Sequence, residues 1–270
     1  MSAFNPRNCK PFPKKGDPKR QLPGFETKQE VAERQAKLIC TLEKGNQDAV
    51  EAAQKIRECG QGQDCLTPIC PKCLRMFRRW YVSQLERLTR PHELWAITVV
   101  PPRVRFAPGE LHNLDLCQFK ETFSKQVSRA GFHNLVMFGG VDIDFCVHSD
   151  NDFYPHWAPH LHCLFIGENG QEVKAALGRF YPPDHIAPRP IRAEKVKDPM
   201  EAISYPMKPF FGRRVSYIGG NGRRQSRDLR LQADELQEIG AYMGQHKHTD
   251  LLFLKNVRRR GCNLALNGCR

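Results

Sequence analysis

The sequence predicts an α+β fold, an antiparallel sheet with helices packed on it, preceded by a small cysteine-rich module. Three observations carry this. Helix-period and strand-like segments follow one another from about residue 94 to residue 209, the order of a layered sheet. Two of those segments, NLVMFGGVDIDFCV and HLHCLFI, are apolar enough to be buried strands. Four cysteines crowd between positions 59 and 73, ahead of the first strand.

Taken in order, residues 1–25 mix Lys, Arg, Pro and Gly without periodicity and predict a basic flexible arm. Thr27 and Glu30 form a capping-box pattern that opens a helix to about Leu42, and a second short helix runs from about Gln47 to Arg57. After the cysteines, Leu74 to Leu88 reads as a helix carrying Arg75, Arg78, Arg79 and Arg87. Its Arg75, Arg78 and Arg79 are candidate DNA contacts, set against the commoner reading of a solvated basic face. The strand LWAITVVPP follows, then a helix near 114–130, the two apolar strands, a helix near 171–181, a strand near 189–196 and a helix near 198–209. The C-terminal stretch offers a basic, Gly-rich loop, GGNGRRQSRDLR, a helix from about Gln232 to Gly244 and a basic end, NVRRRG. The units predicted are 1–25, 26–89 as the cysteine-rich module, 90–215 as the main domain and 216–270 as a basic extension.

Forty-two Lys and Arg against 29 Asp and Glu give a formal charge of +13, which favours a polyanionic partner without naming one. No run of about 18 apolar residues and no hydrophobic signal core is present, so the expected setting is cytoplasmic, with no membrane partner. Eleven cysteines is an odd number, and their crowding suits metal binding in a reducing compartment better than a disulfide framework.

Cys59, Cys65, Cys70 and Cys73 offer four soft ligands, and the CPKC pair has the spacing that lets two thiolates face one ion. Four thiolates favour a closed, structural Zn²⁺ site. Free buried cysteines are the bland alternative, and Cys40 is a possible substitute ligand.

His160 and His162 flank Leu161 in an apolar strand, so alternation puts both imidazoles on one side. A second His-x-His, His246 to His248, follows a helix and has a charged middle residue, and it reads as a decoy. Asp142 and Asp144 share a face of the preceding apolar strand, where a carboxylate is costly unless paired or metal-bound. Two imidazoles and a carboxylate can hold Mg²⁺ or Mn²⁺, and Zn²⁺ also fits those donors. A polar stripe on a half-buried sheet is the plain alternative.

In DPMEAISYPMKPF, Glu201, Tyr205 and Lys208 share a helix face at spacings of four and three. A phenolate can attack phosphorus, a neighbouring cation can stabilise developing charge and a carboxylate can activate water. An amphipathic helix with a surface ion pair would show the same pattern.

LWAITVV, PHWAPHLHCLFI and EAISYPMK, in that order, resemble the three motifs of HUH-superfamily rolling-circle replication initiators, the plasmid-type Rep proteins. The likeness covers about residues 90–215, and the cysteine-rich segment is similar to a zinc-binding stretch in some members. It implies a five-stranded antiparallel sheet like that of RNA-recognition modules, His160 and His162 as ligands of a catalytic Mg²⁺ or Mn²⁺, and Asp142 in preference to Asp144 as the third. It also implies Tyr205 as the nucleophile, Lys208 as its basic partner and Glu201 as the residue that activates water. Two-tyrosine members carry another Tyr where Pro209 stands here, so the pattern is that of a single-tyrosine enzyme. Thr98, in the first motif, is a possible supporting hydroxyl. The implied partners are single-stranded or stem-loop origin DNA, with a host helicase and polymerase. The alternatives are a transposase or mobilisation relaxase with the same chemistry, or a non-catalytic zinc-dependent DNA-binding regulator.

Overall fold

The computed structural model describes residues 4–9, 27–89, 92–149, 152–208 and 211–267. Most of the arm predicted over residues 1–25 lies outside them, as does Pro209.

Helix α1 (Lys28–Leu42) starts at the reciprocal bonds of the Thr27–Glu30 capping box. Asn46 caps α2 (Gln47–Glu58), which turns Ala49, Ala52, Ala53 and Ile56 inward. Pro71 opens α3 (Pro71–Thr89), in the first turn where a missing N–H costs no helical bond. Then come β1 (Trp95–Val99), α4 (Leu116–Arg129), β2 (Val136–His148), β3 (His156–Ile166), α5 (Gly170–Gly178), β4 (Ile191–Lys195) and α6 (Pro199–Ser204). The chain continues through β5 (Gly212–Ile218), β6 (Arg224–Arg230), α7 (Ala233–Gly244), α8 (His248–Leu251), β7 (Leu252–Lys255), β8 (Val257–Arg260) and β9 (Asn263–Leu266).

The main sheet has seven strands, which corrects the expectation of five: β4-β1-β3-β2-β5-β6, with β7 also on β2. Pairing is antiparallel except between β2 and β5. The excess comes from the C-terminal part of the chain. The segment predicted as a basic loop is mostly strand, the β5–β6 hairpin, turning at Gly219–Gly222. The basic end forms a second hairpin, β8–β9. Because β2 is 13 residues long, two strands share its outer edge: β7 pairs with Met137–Gly140 and β5 with Asp144–His148. The edge between them, at Val141–Ile143, is open to a loop.

Alternation along β2 and β3 then divides the core. Val141, Ile143 and Phe145 face the same way as Trp157, Leu161 and Phe165, and pack with Phe123 of α4, Leu177 of α5 and Ile239 of α7. On the opposite face Phe138, Leu164 and Ile166 meet Phe77, Trp80, Tyr81 and Leu85 of α3 and Ile203 of α6. Helices therefore cover both faces. The second face is covered at one end only, and past Phe138 and Leu164 it becomes polar. That polar end holds the candidate site.

Arg78 is also corrected. Expected with Arg75 and Arg79 on an outward surface, it is 2% exposed, because α3 packs against several neighbours. The first residues described are held down as well: the Phe4 ring packs tilted against Trp80 at 4.7 Å, and Cys9 forms a disulfide with Cys262. Sequence analysis assigns no disulfide, since nothing local links residues 253 positions apart. Among the described residues, no helix is long and apolar enough to cross a membrane.

Candidate active site

His160 and His162 lie on β3, the strand between β1 and β2. Register places Asp142 opposite His160, Gly140 opposite His162 on one side and Thr98 opposite His162 on the other. Their rings are 4.7 Å apart, and one donor atom from each of His160, His162 and Asp142 falls in a group within 4.8 Å of one another. All three side chains are buried.

The hydrogen bonds orient these donors. His160 Nδ1 lies 3.0 Å from the Ala158 carbonyl, which can only accept, so Nδ1 carries a proton and, in the neutral ring, Nε2 has the lone pair. His162 Nδ1 meets the Thr98 hydroxyl at 2.8 Å, again leaving Nε2 on the site side. Asp142 Oδ1 accepts the Ile143 N–H at 2.9 Å. Its Oδ2 is buried with no well-directed hydrogen bond, and instead faces Lys208 Nζ at 2.5 Å, His160 Nε2 at 3.3 Å and His162 Nε2 at 3.8 Å. This buried carboxylate oxygen faces one ammonium and two imidazoles, and Asp142, His160 and His162 together could hold a metal ion.

Electrostatics follow from burial and proximity. Burial opposes ionisation of Asp142, but Lys208 and His160 outweigh it and hold the carboxyl well below its usual range. Burial also opposes a charged His160, and Asp144 and Asp142 reverse this and raise it. His162 is pushed down to about 3 by burial and by His160 beside it. It is neutral at physiological pH, the form that ligates metal.

Tyr205 caps the C-terminal end of α6 and begins a 3-10 turn, Tyr205–Met207. The predicted helix to residue 209 is shorter because Pro206 has no N–H to donate and disfavours α-helix before it. Gly140 makes room for this turn: a Cβ there would sit 2.7 Å from Met207 Cε and 3.0 Å from the Pro206 carbonyl. The Tyr205 ring consequently lies edge-on to His162 at 4.9 Å while 52% exposed. Burial raises its phenol above the ordinary value, and Lys208 offsets only part of that rise.

Lys208 reaches over both aspartates, 3.2 Å from Asp144 Oδ1. Burial would lower its ammonium, yet the two carboxylates raise it. Asp144 is 3.8 Å from His160 and is not grouped with His162, so the geometry favours Asp142 as third donor, while Lys208 bridges Asp142 and Asp144, which is a second anchor for it. Glu201 is exposed on α6, and its carboxylate makes no ion pair or hydrogen bond among the described residues. The structure thus gathers Tyr205, Lys208, His160, His162 and Asp142, and leaves Glu201 outside the cluster.

The cysteines form a separate centre. Cys59 ends α2, and Cys70 and Cys73 bracket the start of α3, whose N-terminal N–H groups favour thiolate charge. Sulfur separations of 3.4 Å for Cys59–Cys73, 3.7 Å for Cys65–Cys73 and 3.8 Å for Cys59–Cys70 compare well with the edge of a tetrahedral zinc–thiolate site, about 3.8 Å for bonds of about 2.3 Å. All four sulfurs group within 4.8 Å, so this cluster could bind zinc.

No family model, curated protein or solved structure matches this chain.

Sequence reasoning misses two supports of the site. Asp144 as the Lys208 anchor has a visible signal, a second acid two residues from Asp142. The Gly139–Gly140 pair in an apolar strand is the other, marking a close approach of backbone before the structure shows what approaches.

Proposed function

We propose that this protein nicks single-stranded DNA through a covalent tyrosine intermediate, and that it initiates rolling-circle replication. The observation that carries this is the Tyr205 ring against His162, beside a buried His–His–Asp donor set with Lys208 over it. Tyr205 Oη attacks a phosphodiester, the oxygen–phosphorus bond forms and the bond to the 3′-oxygen breaks. The products are a 5′-phosphotyrosyl protein and a free 3′-hydroxyl that a host polymerase can extend beside a helicase. Lys208 favours the phenolate, and Asp144 keeps the ammonium in place. His160, His162 and Asp142 would hold a divalent ion, which supplies charge stabilisation to the phosphate. With two imidazoles in the set, Mn²⁺ suits it better than Mg²⁺, which prefers oxygen ligands. Glu201, one helical turn before Tyr205 and exposed outside the cluster, is the carboxylate assigned to activating water. The cysteine centre, filled by zinc, braces α2 against α3.

The test is incubation with labelled single-stranded origin DNA and Mn²⁺, followed by denaturing electrophoresis. A protein–DNA adduct absent from Tyr205→Phe supports the reading. An adduct that persists in the variant ends it.

A further inference from the structure

The polar face does not stop at the metal-binding group. Strand register carries it across β5 and β6: Asp144 is level with Gly212 and then Arg230, and Cys146 with Arg214 and then Asp228. Paired residues in a sheet point to the same side, so Arg214, Ser216, Ile218, Arg224 and Arg230 extend the face that holds His160 and Asp142. Arg213, Val215, Arg227 and Leu229 point the other way.

The charge of this hairpin is one-sided. Between Gly212 and Arg230 it carries Arg213, Arg214, Arg223, Arg224, Arg227 and Arg230 against Asp228 alone. An edge strand needs charges to discourage pairing with other chains, but charges of either sign would do this. Nor is the surface purely charged. Tyr154 is 91% exposed on the loop leading to His156, and Ile218 is 50% exposed on the same side as Arg214. Arg224, tied to Asp152 and to the carbonyls of His185 and Ile186, braces the hairpin against that loop. Between Asp144 and Arg230, Gly212 has no side chain, so the Asp144 carboxylate leans over it, and Asp144 and Arg230 stand about 10 Å apart at about 4.8 Å per strand. The Arg230 side chain has no hydrogen-bond or ion-pair partner among the described residues, and Arg214 reaches Asp228 at 3.4 Å and lies in the field of Asp144.

We infer that the β5–β6 hairpin is a guide for single-stranded DNA, with Arg230 and Arg214 holding phosphates beside the scissile one while Tyr154 and Ile218 lie under unstacked bases. This rests on the nicking reading and extends it. Cations interleaved with exposed flat or apolar side chains favour a single strand over a duplex, whose bases are already stacked.

Two substitutions on the same exposed strand test it: Arg230→Gln removes a charge from the metal face, and Arg227→Gln removes the same charge from the opposite face. Binding of a fluorescent single-stranded oligonucleotide is measured by anisotropy without metal, in a Tyr205→Phe background so that no strand is cut. Arg230→Gln is expected to weaken binding about fivefold and to lower the slope of log affinity against log salt by about 0.7, the share of one phosphate contact on a single strand. Arg227→Gln is expected to leave both unchanged. Equal losses in the two variants, no loss in Arg230→Gln, or tighter binding of duplex than of single strand would overturn the guide. Adduct formation on a short oligonucleotide is scored separately. A normal adduct with no difference between faces sinks the guide alone, and a face-dependent loss of binding with no adduct sinks the nicking reading alone.

Discussion

Gly140→Ala is the change that best probes how the sheet positions the nucleophile. The added methyl would lie 2.7 Å from Met207 Cε and 3.0 Å from the Pro206 carbonyl oxygen. Met207 Cε is the end of a flexible side chain and can swing aside, but the Pro206 backbone cannot, so the Tyr205–Met207 turn must give by about a few tenths of an ångström to restore an ordinary contact. Overpacking of this kind costs about 1 to 3 kcal/mol, which at about 2 to 4 °C per kcal/mol lowers Tm by about 2 to 12 °C. The chemistry should suffer as well: a displacement of about 1 Å at a reacting group can cost about 100-fold in rate, so a shift of a few tenths should cost about threefold or more. Thermal melting and the single-turnover rate of adduct formation check the two parts. Met207→Ala in the same chain should recover most of the stability and little of the rate, because the clash with the Pro206 carbonyl remains. A Gly140→Ala protein that melts lower but forms adduct at the normal rate would refute the claim that this glycine places Tyr205.

Further predictions follow from the same geometry. Purified protein should carry zinc bound through Cys59, Cys65, Cys70 and Cys73; chelation or Cys73→Ser should remove it and lower Tm, and metal analysis showing no zinc in a fully stable protein would contradict this. Thr98→Val deletes the hydroxyl on His162 Nδ1 and should weaken Mn²⁺ affinity about 10- to 100-fold, measured by calorimetry, with the fold unchanged by circular dichroism. His248 is buried against Phe77, and burial pushes its imidazole down to about 4 from an ordinary value of about 6.5. The unfolded chain takes up that proton first, so the penalty is absent above about pH 6.5, grows as pH falls and is complete near pH 4. It should reach about 2 kcal/mol at pH 5. Urea unfolding at pH 7.5 and 5 should show that much less loss in His248→Phe than in the wild type, and parallel losses would contradict it.

How far the sequence reached depends on how local each signal is. Thr27 with Glu30, the alternation around His160 and His162, and the apolar run of β2 each state their structure within a few residues. The β5–β6 hairpin does not. GGNG marks its turn, but RRVSYI and RQSRDLR lack an apolar alternation because β6 is an exposed edge, so the stretch reads as loop. The Cys9–Cys262 bond and the Lys208–Asp144 contact join residues far apart in the chain, and no pattern in either segment points to the other. Arg78 is a different failure: an arginine in a basic helix looks outward until the packing of α3 is known. Within the candidate site, residue types and faces were legible. Distances, tautomers and the anchoring role of Asp144 needed the fold.

The most direct test of the central claim is to find which atom carries the DNA. Protein reacted with single-stranded origin DNA and Mn²⁺ is digested with nuclease and protease, and the peptides are read by mass spectrometry. A nucleotide mass on Tyr205 is the predicted result. The same mass on another residue, or none under conditions where the DNA is cut, would contradict the account.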